Sequence, residues 1–160
     1  MILGVLSDTH GQIKTTERAI RLFAEKNVTE IIHCGDIGGE NIVTLFQDIP
    51  THFVLGNMDV SGDAIDRVAR TTGGFFYQYF GSLKRENKRI AFLHGHQSDR
   101  FSTELDSGLW DLICFGHTHT PTFERHGNTH LLNPGALYRV ATPTIAIVRL
   151  PEIEVELLTL

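Results

Sequence analysis

The first 56 residues alternate between two periodicities, and that alternation restricts the fold more than any other feature of the chain. ILGVLS (2–7), EIIHCG (30–35) and HFVLG (52–56) are short apolar runs with strand character. Between them, TTERAIRLFAEKN (15–27) spaces Ala19, Ile20, Leu22 and Phe23 along one helical face, and ENIVTLFQD (40–48) also reads as helix. Strands separated by helices run parallel, because a parallel pair needs a long crossover and not a tight turn.

From residue 74 the pattern changes. GFFYQYF (74–80) and RIAFLHG (89–95) are strand-like, and the intervening GSLKRENK reads as a hairpin connection. SDRFSTELDSGLW (98–110) accommodates a helix, DLICFGH (111–117) a buried strand, and TFERHGNTHLLN (122–133) a hairpin around HGNT. TIAIVRL and EIEVELLTL are alternating strands joined at Pro151. A parallel β/α half followed by a mostly antiparallel half predicts two sheets packed together with helices outside. One domain over residues 1–160 is expected, since 160 residues bury roughly 70% of the unfolded chain's surface.

The formal charge of -5 and isoelectric point near 5.9 set the chain apart from generic nucleic-acid or membrane-surface binders, which carry a basic patch. No apolar run approaches the roughly 20 residues of a membrane span. MILGVLSDTHG lacks the basic start and long apolar stretch of an export signal, so a cytoplasmic location is expected. Cys34 and Cys114 lie inside apolar runs and are expected to be buried, reduced thiols.

Five apolar strand runs end on polar groups. Asp8 and His10 follow the first, Asp36 the second, and Asn57 and Asp59 the third; His94 and His96 follow RIAFL, and His117 and His119 follow LICFG. In open α/β sheets, ligands bind outside such strand ends. Imidazoles, carboxylates and an amide oxygen without thiolate suit divalent manganese, iron, cobalt, nickel or zinc, with manganese the expected metal. Seven candidate ligands (Asp8, His10, Asp36, Asn57, His94, His117 and His119) are too many for one ion and suit two, roughly 3.5–4 Å apart. Two carboxylates against two divalent ions leave positive charge for a hydroxide and an anionic substrate. Each piece also has a plainer reading: Asp-x-His as a turn, Asp36 as a helix cap, the GN of LGNMD as a turn. GHTH alone points more strongly to metal, because period two sends both rings to one side of an extended segment.

The order SDTHG, GDIGG, LGNMD, HGH, GHTH resembles the calcineurin-like metallophosphoesterase superfamily, and within it the small prokaryotic phosphodiesterase branch (YfcE-type). The resemblance spans nearly the whole chain. It implies an α/β fold, a four-layer αββα sandwich of two packed mixed sheets flanked by helices, with a dinuclear site at one edge. It further implies that Asp8, His10, Asp36 and His119 hold one metal and Asp36, Asn57, His94 and His117 the other, with Asp36 as the bridge. NPGA (133–136) resembles a family turn that supports the site from behind. Many superfamily members place histidine after the GN asparagine; here the residue is Met58, which neither binds phosphate nor donates a proton. His96 is the candidate substitute, and Asp59 is expected to orient a ligand or the nucleophile.

The reaction expected of such a site is hydrolysis of a phosphate ester, most simply a diester, by a hydroxide bridging two metals. Three rivals follow from the same resemblance: a phosphomonoesterase, a protein-binding scaffold like the retromer subunit of this fold, and a nuclease. The expected partner is a small phosphate-ester substrate, with no membrane and no dedicated nucleic-acid surface. EIEVELLTL offers a strand through which a homo-oligomer could pair.

Overall fold

A computed structural model describes residues 1–160. The elements in order are β1 (Ile2–Leu6), α1 (Ile13–Glu25), β2 (Glu30–His33), α2 (Glu40–Val43, continued by a 3-10 turn to Phe46) and β3 (Thr51–Phe53). Then come α3 (Gly62–Thr71), β4 (Phe75–Phe76), β5 (Phe80–Arg85), β6 (Lys88–Leu93), α4 (Ser98–Asp106) and β7 (Leu112–Cys114). A hairpin of β8 (Thr122–His126) and β9 (Thr129–Asn133) follows, and β10 (Thr144–Arg149) and β11 (Glu154–Thr159) close the chain.

Alternation along the strands builds four layers. In β1, Leu3 and Val5 face one way while Leu6 faces the other; in β6, Ile90 and Phe92 oppose Ala91 and Leu93. Leu3, Val5, Ile32, Cys34 and Val54 of the first sheet therefore meet Ile90, Phe92, Leu112, Cys114 and Leu132 of the second. Behind the first sheet, Ile31, Phe53 and Ile147 pack on Phe23 of α1, Ile42 of α2 and Ile65 of α3. Behind the second, Ala91, Leu93 and Ile113 pack on Phe101 and Leu105 of α4. Three apolar seams between four layers make the expected αββα sandwich, and both cysteines are free and buried in its middle seam.

The first sheet has the order β11-β10-β1-β2-β3-β4, and the second β5-β6-β7-β9-β8. β1 to β4 run parallel, as the helical crossovers require. The second sheet is not mostly antiparallel: β6, β7 and β9 are parallel neighbours, with antiparallel pairs only at its edges. The tail returns to the first sheet, where β10 pairs antiparallel with β1. Its reason lies in β10 itself: Ile145 and Ile147 face the helices while Ala146 and Val148 face the middle seam, so this strand needs cover on both sides.

Two local readings need correction. The run 74–80 is not one strand: Phe75–Phe76 edges the first sheet and β5 begins at Phe80 in the second. GSLKRENK is mostly strand, with its turn confined to Glu86 and Asn87, both at positive φ (48° and 62°) as a two-residue primed turn requires. Helix α3 has no counterpart in the sequence reading, because its inward face is only Ile65, Val68 and Ala69 among charged residues.

Candidate metal centre

The parallel strands bring their C-terminal ends to one edge of the sandwich. Asp8 and His10 follow β1, Asp36 follows β2, Asn57 follows β3, His94 and His96 follow β6, and His117 and His119 follow β7. The chain must turn sharply there to present side chains instead of continuing the ladder. Asp8, His10, Asp36, His117 and His119 all sit in the left-handed region, with φ between 41° and 69°. That conformation costs a residue with a Cβ on the order of 1 kcal/mol, and such residues concentrate at functional sites. The packed strands beneath supply the offset.

Each carboxylate has one oxygen fixed and one left free. Asp8 Oδ2 accepts the His117 amide at 3.1 Å, while Oδ1 faces His119 Nε2 at 3.1 Å and His10 Nε2 at 3.7 Å. Asp36 Oδ1 accepts the Met58 amide at 2.9 Å, while Oδ2 lies 3.4 Å from both His10 Nε2 and His94 Nε2. Asp36 thus touches one histidine from each sheet. Burial alone would raise the Asp36 pKa, but the close approach of His94, the hydrogen bond from the Met58 amide and the charges of His94 and His10 bring it down to about 2. His94 feels the converse: burial disfavours its charge, and the Asp36 and Asp8 carboxylates more than compensate, raising its pKa.

The tautomer of His94 follows from its back side. Nδ1 donates to the Cys34 carbonyl at 2.8 Å, which leaves the Nε2 lone pair aimed at the carboxylates. His96 lies with its ring 5.5 Å from His94, 6.3 Å from His117 and 6.0 Å from Tyr79; burial first, then the two neighbouring imidazoles, lowers its pKa. His117, exposed, has its ring 5.1 Å from that of His94. Asn57, also exposed, lines a cleft of about 480 Å³ with His10, Asp36, His117 and His119.

Residues behind the cluster hold its loops. Asp59 accepts the amides of Ile37, Gly38 and Gly56 at 2.9–3.1 Å, so its carboxylate clamps the loops that carry Asp36 and Asn57 and is occupied by backbone. Buried Asn133 of NPGA donates to the Gly116 carbonyl at 2.9 Å and to Thr118 Oγ1 at 3.0 Å, holding the GHTH turn from behind. His33 is buried beneath the site. Thr9 Oγ1 donates to the Ile37 carbonyl, so His33 Nε2 donates to Thr9 while Nδ1 accepts the Gly35 amide. Burial, with the charge of His94, drives the His33 pKa down to about 3, which keeps it neutral. The glycines of LGNMD and FGHTH make room: a Cβ at Gly56 would collide with Asp36, and one at Gly116 with Ser7 and Asp8.

Asp8 Oδ1, His10 Nε2, His94 Nε2 and His96 Nδ1 are buried with no hydrogen-bond partner. Leaving such atoms unpaired costs about 1–3 kcal/mol each. Ligand atoms of Asp8, His10 and His119 converge within 4.8 Å of one another, as do those of Asp8, Asp36 and His94. Carboxylate oxygens and imidazole lone pairs without donors call for cations, so the residues fit the divalent ions that their chemistry implies. Asp8 belongs to both groups, which the sequence reading did not expect. Tyr138 and Arg139, which also line the cleft, were missed altogether. They lie past the NPGA turn, outside any strand, where no periodicity signals a site.

Two overlapping nitrogen and oxygen ligand groups at an open sheet edge are of the kind that could hold metal ions. Residues 1–152 match the calcineurin-like phosphoesterase superfamily domain. Phosphodiesterase MJ0936 of Methanocaldococcus jannaschii is 28% identical over 152 residues, 92% of each chain. The solved structure of an archaeal phosphodiesterase superposes with a TM-score of 0.94 at 27% identity over the whole of both chains. Wild-type Vps29 of Entamoeba histolytica, solved with Zn²⁺, has a TM-score of 0.65 at 16% identity over 100% of this chain and 98% of its own, a likeness of fold alone. The protein belongs to the calcineurin-like phosphoesterase superfamily.

Proposed function

We propose that this chain is a metal-dependent phosphodiesterase whose centre takes two divalent ions, manganese foremost, and hydrolyses a small phosphate diester. The observation that carries this reading is the convergence of unpartnered Asp8, His10 and His94 atoms on Asp36 at the sheet edge. Asp8, His10, Asp36 and His119 would hold one ion, and Asp36, Asn57, His94 and His117 the other. When bound, such ions lower the pKa of water and neutralise phosphoryl oxygens. The chain's part is to fix the donors before substrate arrives: Asp59 and Asn133 hold the loops, and the Cys34 carbonyl sets the His94 tautomer. His96, inside the cluster of rings, is the group placed to hydrogen-bond the phosphate or the departing oxygen. Met58 is 61% exposed at the cleft and offers no charge or proton, which favours the singly charged diester over the dianionic monoester.

The test is Mn²⁺-dependent hydrolysis of bis(nitrophenyl) phosphate beside nitrophenyl phosphate, with a chelated control. Metal-dependent cleavage favouring the diester is expected. Cleavage of the monoester alone would keep the hydrolase and remove the diesterase. A scaffold role shares this fold, and the Zn²⁺ complex of Vps29 means that metal binding alone does not separate the two readings. Turnover does: no hydrolysis with any of the five metals would favour the scaffold.

A further inference from the structure

The cleft over the ligand cluster has one permanently charged cation in its lining, Arg139, and none of the seven ligand positions or the loop clamps uses it. Arg139 has no acidic partner, a state it shares with Arg18, Arg21, Arg67 and Arg125, but of these it alone lines this cleft. Its guanidinium rests 5.0 Å over the ring of Tyr138, and that ring packs 4.8 Å from the ring of His10. The backbone at Arg139 is left-handed (φ 51°), and two residues earlier the Leu137 amide donates to the Asp8 carbonyl at 3.2 Å. The segment is therefore tied to the loop that carries Asp8 and His10, and its side chain is kept at the cleft against a conformational cost.

We propose that Arg139 is a specificity-determining residue that binds a second anionic group of the substrate. The inference rests on the phosphoesterase reading and names its substrate class: phosphate esters with a further phosphate or carboxylate on the arm that leaves the centre past Tyr138. One aromatic ring separates the guanidinium from His10, which places it beyond the reacting phosphorus and within reach of a neighbouring group. The planar fork of donors pairs with phosphate or carboxylate through two hydrogen bonds. Contact with Tyr138 holds it ready, which reduces the freedom lost on binding. Apart from the candidate ligands, the cleft is lined by uncharged Gly38, Met58 and Tyr138, so Arg139 is the counter-charge available to a second anion.

Adenosine 5′-monophosphate and adenosine 3′,5′-bisphosphate differ by one phosphate and serve as probes. Each is titrated calorimetrically into the Mn²⁺-loaded protein and used as a competitor of bis(nitrophenyl) phosphate hydrolysis. The bisphosphate is expected to bind roughly tenfold more tightly, the scale of a hydrogen bond to a charged group. Arg139→Gln should erase that preference and Arg139→Lys retain part of it, with metal content unchanged as the control for an intact centre. The preference should also shrink as salt is raised. Equal affinities in the wild type, or a preference that survives in Arg139→Gln, overturns the assignment. Absence of hydrolysis with a calorimetric preference that depends on Arg139 would instead sink the phosphoesterase reading and leave the anion site standing.

Discussion

Carboxylates and imidazoles are buried together at both ends of this sandwich, and the two clusters differ in one respect. At the end opposite the ligand edge, where β2 and β3 begin, Glu30 receives Arg85 Nε at 2.8 Å and Nη2 at 2.6 Å, and His52 Nε2 also donates to it. His52 Nδ1 is 2.9 Å from the Tyr77 hydroxyl, so every polar atom of the group has a partner. Arg85 lies in the second sheet and Glu30 in the first, which makes the cluster a clamp between them. At the ligand edge the same residue types leave four buried atoms orphaned. Burial and histidine content are therefore not what distinguishes a site. The distinction is whether the donors and acceptors of the chain close on one another or leave buried atoms without a partner in the protein.

The largest expected consequence separates the ends by function. Asp36→Asn should lower kcat/KM for bis(nitrophenyl) phosphate on the order of 10³-fold, the scale of losing a principal electrostatic element. Bound Mn²⁺ per chain, measured by elemental analysis, should fall with it, because Asp36 faces His10 and His94 together. Glu30→Gln should leave turnover and metal content as they are. Loss of metal in Glu30→Gln, or full turnover in Asp36→Asn, would erase the contrast.

A smaller effect sharpens it within the ligand edge. His96 is orphaned at Nδ1 but lies outside both convergent ligand groups. His96→Ala should therefore keep its metal and lose ~10²-fold in kcat on a diester with an alkyl leaving group, as removal of a proton donor does. The nitrophenyl diester, whose leaving group needs no proton, should be nearly unaffected. Equal losses on both would place His96 on the phosphate instead, and no loss on either would leave it without a catalytic part.

The strand ends were legible because each apolar run stops on a polar residue, but the extended segment expected of GHTH is not formed: His117 and His119 are left-handed, as are Asp8, His10 and Asp36, so period two does not set their direction. His94 could be named from RIAFL followed by HGH, and Asp36 from EIIHCG. The sharing of Asp8 between two groups was not legible, since it involves left-handed turns at Asp8, His10, Asp36 and His119 that no local pattern specifies. Asp59 was expected near a ligand or nucleophile, yet two of its three amide contacts, Ile37 and Gly38, come from a loop 22 and 21 residues away in sequence. β5 was hidden for another reason: glycine and lysine dilute its alternation, and its turn residues, Glu86 and Asn87, are not the usual Asn-Gly pair. Tyr138 and Arg139 reach the cleft only through tertiary return of the chain past NPGA.

The clamp end has its own measurable signature, in stability. Burial by itself would raise the Glu30 pKa, but hydrogen bonds from His52 and Arg85 and their charges pull it down from 4.5 to about 2. A carboxylate with a depressed folded-state pKa contributes stability above its unfolded pKa and loses it as pH falls through the folded value. For Glu30 that window runs from about 4.5 down to about 2, and the contribution at neutral pH is on the order of 2 kcal/mol. Asp36 titrates in the same window, so the comparison is made between wild type and Glu30→Gln in chelator, where Asp36 contributes equally to both. Urea unfolding at pH 7 should show the variant less stable by that amount, with the two curves converging as pH approaches 2. A gap that stayed constant across the window would mean that Glu30 acts through packing alone, and the two ends would then differ in shape but not in charge.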